Sequence, residues 1–157
     1  MPEPDSATTE GKPPEWYAAG LRFECTMCGD CCTGPPGVVR YSPDEASRIA
    51  ERLSVTVEEF TVRYTHPIGR GRRSLNEIET EHGFDCVFLD RASMPGKAIC
   101  SLYEDRPLQC RTFPWWPENL RSEREWRAVA RACEGVGRGR LVPISEIRIQ
   151  RDAGNGK

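Results

Sequence analysis

The stretch FECTMCGDCCTGPPGVV places Cys25, Cys28, Cys31 and Cys32 within eight positions, and Gly34, Pro35, Pro36 and Gly37 close it with an enforced turn. Two thiols at CxxC spacing reach one tetrahedral ion, a geometry shared by zinc knuckles and iron–sulfur sites. Cys31 extends this to CxxCxxC, the three-ligand opening of bacterial ferredoxins, in which a further cysteine close by serves a second cluster. The terminal doublet is the awkward part, because adjacent side chains usually point apart. Cys25, Cys28 and Cys31 read as one set of ligands, and Cys32 as the link to a second centre or to a second face of one polynuclear centre.

The other four cysteines, Cys86, Cys100, Cys110 and Cys133, form no CxxC of their own. Eight thiols match two four-thiolate sites in number, with the N-terminal four shared and completed by distant partners. At 157 residues, with 38% hydrophobic residues, 14 Gly and 13 Pro, the chain suits a single domain with many turns and a thin core. Crossed ligation would pin its hairpins together and make folding metal-dependent. The expected fold is therefore α+β: a small, irregular, metal-stapled single domain with a helical hairpin and short β-hairpins. Both zinc and an iron–sulfur cluster accept four thiolates, and the spacing leaves the choice open.

Two other uses of cysteine fit the sequence less well. Disulfide exchange by a CxxC pair asks for a motif that follows a strand and opens a helix, which the sequence does not suggest. A disulfide scaffold belongs to exported proteins. Here MPEPDSATTEGKPPEW lacks the basic start and apolar core of a signal peptide, and no apolar run approaches the roughly 20 residues of a membrane span. The expectation is a cytosolic protein away from membranes. A formal net charge of -2 supplies no field to attract nucleic acid, which is not expected as a partner.

Residues 1–15 read as a disordered lead-in, 16–150 as the cysteine-cluster domain and 151–157 as a disordered tail. VVRY, after the turn, fits a short strand. Ser42, Pro43 and Glu45 give a capping box for a helix whose apolar stripe is Ala46, Ile49, Ala50 and Leu53. Thr56 and Glu59 repeat it for a second helix through Val57, Phe60 and Tyr64. THPIGRGRR reads as a basic, solvated hairpin or loop, with a partner site as the alternative, Leu75 and Ile78 as a strand, and Val87–Leu89 with Ala98–Leu102 as a hairpin carrying Cys86 and Cys100 on opposite arms. Cys110 belongs on a single turn. EWRAVARAC, by its alternation of Trp126, Ala128 and Ala130, favours a strand, and a short helix starts near Ser145 with Ile147 inside.

His66 and His82 read as surface residues, and Glu24 and Asp30 as solvated acids beside the cluster. Trp115 and Trp116 suit a core or a lid over a metal site. Arg106 and Arg111 flank Cys110, where a guanidinium offsets thiolate charge or binds an anion, so both are candidate cofactor-binding residues. The order CTMCGDCC, CVFLD, CSLYEDRPLQCRTFP and CEGVGRG resembles the YkgJ-like cysteine-cluster family, also called the CxxCxxCC or zinc- or iron-chelating domain, over about residues 21–150. Relatives commonly have proline where Glu134 stands. The resemblance implies metal chelation by Cys25, Cys28, Cys31, Cys32, Cys86, Cys100, Cys110 and Cys133, with no agreed reaction. Metal ions are thus the expected partners, a protein partner being unidentified, and the expected role is metal handling, electron transfer or structure. The alternative is a cluster-dependent enzyme, protein-modifying like the flagellin lysine N-methylases or an oxidoreductase.

Overall fold

Two capping boxes organise the middle of the chain. In the computed structural model, which describes residues 11–154, Ser42 Oγ accepts from the Glu45 amide at 3.2 Å while Glu45 Oε2 accepts from the Ser42 amide at 2.8 Å. With Pro43 in the first turn they start helix α1, Pro43–Leu53. Thr56 and Glu59 repeat the exchange at 3.1 and 2.8 Å and start α2, Val57–Tyr64. Ala46, Ile49 and Ala50 of α1 pack with Phe60 of α2 and with Leu75, Phe88 and Leu102 into a first buried core. Leu53 and Tyr64 lie at its edge, whereas Val57 is 40% exposed, since it occupies the first turn ahead of the core contact made by Phe60.

The strands form four separate antiparallel pairs: β1 (Leu21–Phe23) with β8 (Val136–Val142), β2 (Thr65–Gly69) with β3 (Arg72–Leu75), β4 (Glu77–Thr80) with β5 (Gly83–Cys86), and β6 (Leu89–Asp90) with β7 (Ile99–Cys100). THPIGRGRR takes the hairpin form of the two it could adopt: Gly69, Arg70 and Gly71 all have positive φ, and glycine on either side of Arg70 permits so tight a tip. VVRY stays extended without becoming a strand. The Leu75 amide donates to the Val39 carbonyl at 3.0 Å, but on the other side the Gln109 side chain takes the place of a partner strand, accepting from the Arg40 amide and donating to the Val38 carbonyl. Cys86 and Cys100 also do not share a hairpin. Cys86 faces Glu77 and Cys100 faces Leu89, because the Val87 amide bonds back to Asn76 and β5 pairs with the strand before it.

EWRAVARAC is helical, within α4 (Glu123–Ala132). Ser122 caps it, and Trp126, Val129 and Cys133, at helical spacing, turn inward while Ala130 is exposed. Cys110 lies on α3 (Leu108–Arg111), a single turn, and α5 runs Ile144–Ala153 with Ile147 fully buried. Tyr17, Trp115, Leu120, Trp126, Val142 and Ile147 form a second core, where the Trp115 and Trp126 rings stack 5.4 Å apart. The result is a small mixed α+β single domain. The expected lead-in (1–15) and tail (151–157) lie in part outside the described residues. Among the described residues no helix is long and apolar enough to cross a membrane.

Glu45 joins these parts. Buried at 7% exposure, it caps α1 through one carboxylate oxygen and accepts from the Leu108 amide at 2.7 Å through the other, fixing α3 against α1. Glu45→Ala strips two amides of their acceptor and is expected to cost about 2 kcal/mol, read as a lower urea midpoint.

Candidate metal centre

The cysteine run has almost no secondary structure of its own, and its course is set by distant partners. At its start the Glu24 amide donates to the Gly135 carbonyl at 3.1 Å. Only glycine fits there, since a Cβ at position 135 would lie 2.2 Å from the Glu24 carbonyl oxygen. Thr26 Oγ1 donates to the Glu134 carboxylate, so the first CxxC lies against the loop after Cys133. Further on, the Ala98 amide donates to the Met27 carbonyl at 2.8 Å and Lys97 Nζ to the Thr26 carbonyl at 2.9 Å. Asp30–Cys32 make one 3₁₀ turn, after which Thr33 Oγ1 donates to Asp85 and the Phe84 amide to the Gly34 carbonyl.

These anchors turn thiols from five segments toward two adjoining clefts. Cys25, Cys31, Cys32, Cys86, Cys100 and Cys110 all line a cleft of about 290 Å³, walled by apolar side chains including Phe88, Phe113 and Trp116. A second cleft of about 400 Å³ lies against α4, with Cys31 and Cys133 on its wall beside Asp30, Glu118, Arg121 and Glu125. Cys31 therefore borders both, the junction role that spacing had suggested for Cys32. The two doublet sulfurs lie 3.7 Å apart. Cys28 lines neither cleft but is near enough to Cys133 for the two thiols to repel.

Burial and mutual repulsion favour the protonated form of Cys28, Cys31, Cys86, Cys100, Cys110 and Cys133. Burial, then the neighbouring Cys86, Cys100 and Cys31, pushes Cys110 up to about 12. Burial likewise raises Cys86 to about 11, and shifts Cys28, Cys100 and Cys133 upward. Cys31 is raised mainly by its contact with the Cys32 thiol, and burial adds to this. The Arg106 guanidinium acts in the opposite sense on Cys31, Cys100 and Cys110. A group of soft donors gathered in a partly apolar site, each needing a positive neighbour to ionise, fits a thiophilic metal in chemistry. Among the described residues no three Cys, His, Asp or Glu side chains are already drawn together as ligands of one ion.

The other candidates separate clearly. Arg106 lines the thiol cleft, while Arg111 is turned away from it toward Glu45, 3.9 Å distant. Trp116 forms a wall of the cleft, its Nε1 donating to the Gln109 carbonyl at 2.9 Å, and Trp115 belongs to the second core. His82 is exposed beside Glu81, and His66 pairs with Asn76 at 3.1 Å. Sequence reasoning missed Asp85, which takes Arg91 in a two-pronged pair at 2.7 and 3.0 Å and holds Thr33 at the end of the cysteine run. No local pattern marks it, because its partners lie on two different turns.

Residues 24–134, well over half of the chain, match the family CxxCxxCC, "Putative zinc- or iron-chelating domain". No solved structure matches the chain.

The hydrogen bonds from Arg91, chiefly, hold the Asp85 carboxyl down at about 2. A carboxylate depressed in the folded state stabilises above its unfolded pKa, near 4, and loses that contribution as pH falls toward 2. The gap in denaturant midpoint between the wild-type protein and Asp85→Asn is thus expected to be full at pH 5 and above, and to close below pH 4.

Proposed function

The chain belongs to the CxxCxxCC family of zinc- or iron-chelating domains, and on that premise we propose that its eight cysteines form one continuous thiolate centre holding zinc or an iron–sulfur cluster. Metal binding in general follows from family membership; the ligand set is our reading. The observation that carries it is the position of Cys31, shared between the cleft that gathers Cys86, Cys100 and Cys110 and the cleft that holds Cys133. In this reading Cys86, Cys100 and Cys110, with Cys25 and Cys32 on the same wall, supply one group of ligands. Cys28 and Cys133 belong to the other, with Cys31 shared at the boundary. A bound cation would stabilise the thiolates and link the two halves of the domain, and Arg106 would offset the excess negative charge of the first group. The side chains must draw in to reach ligand distance, so loading would tighten the clefts. We place the protein in the cytosol, where thiols stay reduced.

Protein prepared anaerobically is expected to carry about two metal ions per chain if the ligands are four thiolates each. Elemental and sulfide analysis with an absorption spectrum would distinguish zinc from an iron–sulfur cluster. Cys31→Ser should lower the metal content more than Cys133→Ser does; equal losses would remove Cys31 from the junction. Because Cys86 and Cys110 are pushed up to about 11 and about 12, these thiols must shed protons on binding. Zinc added to the metal-free protein at pH 7 in weak buffer is therefore expected to acidify the solution, with apparent affinity rising with pH.

A further inference from the structure

The thiol cleft contains more than sulfur. One side of it is apolar, with Phe84, Phe88, Phe113 and Trp116 among its walls, and its volume of about 290 Å³ is far beyond what a single ion fills. Arg106 is the only positively charged residue among the described residues that line it. Its plane is fixed from behind: Nε donates to the Tyr103 carbonyl at 2.8 Å, and the guanidinium carbon sits 4.7 Å from the centroid of the Tyr103 ring. Among the described residues Arg106 forms no ion pair with a carboxylate; other arginines share that state, but none of them lines the thiol cleft. The one acid lining the cleft, Glu77, is engaged at the rim by the Gly37 amide at 3.0 Å.

We propose that the apolar part of this cleft binds a small organic carboxylate, its hydrocarbon body against the aromatic wall and its carboxylate on the Arg106 guanidinium. The proposal deepens the metal reading by naming a ligand that shares the cleft with the thiols. A lone guanidinium matches one carboxylate in charge and in its two parallel donors, whereas a phosphate would call for further cations that the wall does not provide. The apolar walls select for the body of the ligand, because a fully hydrated anion would gain nothing from them.

The test titrates the metal-bearing full chain with benzoate, with benzamide as its neutral isostere and with inorganic phosphate, following heat and the NMR signals of the tryptophans. Metal content is measured on the same samples. Benzoate is expected to bind at least about tenfold more tightly than either comparator. Arg106→Gln, compared with wild type on samples brought to equal metal content, should abolish that preference, and Arg111→Gln, outside the cleft, should leave it intact. Equal binding of benzamide would reduce the site to an unspecific apolar hole, and tighter binding of phosphate would make it a general anion site; either overturns the proposal. If Arg106→Gln instead sheds the metal, Arg106 serves the thiolates and the carboxylate assignment fails while the metal reading stands. Should that variant not fold, the contrast among the three probes on the wild-type protein still decides. Wild-type protein that carries no metal would fail the metal reading separately.

Discussion

An irregular backbone from Glu24 to Gly37 can be kept in one conformation only if something outside it satisfies its amides and carbonyls. Here the outside supply is spread along the chain. Gly135 receives the Glu24 amide, the Lys97–Ala98 turn binds the carbonyls of Thr26 and Met27, the Phe84 amide takes the Gly34 carbonyl, and the Glu77 carboxylate takes the Gly37 amide. Every other feature of the site depends on these bonds. They bring Cys25, Cys31 and Cys32 to the same cleft as Cys86, Cys100 and Cys110, and they do it with hairpins too short to be stable alone.

The same anchors explain the electrostatics. Thiols crowded into a half-buried cleft repel as thiolates and are cheap only as neutral groups, so a cation is what lets them ionise together. Cys31, Cys86, Cys100 and Cys110 are all shifted upward, with Arg106 acting against the shift on Cys31, Cys100 and Cys110 and Arg52 also on Cys100.

What could be read in advance was local. The boxes at Ser42 and Thr56 bring cap, acid and apolar stripe within a few residues, and both helices start where those signals lie. The hairpin at residues 65–75 was legible only as one of two forms, because its tip depends on a positive φ at Arg70, which side-chain pattern does not encode. In α4 the small residues Ala128 and Ala130 imitate a two-residue period, and the true face, Trp126–Val129–Cys133, is sparse. The type of chemistry in the site was plain from eight cysteines. Which sulfurs adjoin was not, because Cys133 approaches the first CxxC through the pairing of β1 with β8, more than a hundred residues apart. Gly135 was the one visible trace of that approach, and its meaning emerges only when Glu24 is seen against it.

The two cores differ in how the chain assembles them. The first draws all its buried members from residues 46–102, a continuous block. The second needs Tyr17 together with Trp115, Trp126, Val142 and Ile147, so it closes only when the end of the chain returns to the beginning. On a ribosome, where the N-terminal part emerges first, the block with Cys86 and Cys100 can settle while Cys25 and Cys28 still await Cys133. The approach of Cys133 to the first CxxC thus waits for the segment through Ile147 to emerge, and until then the earlier thiols stay open to whatever thiophilic ion or oxidant they meet.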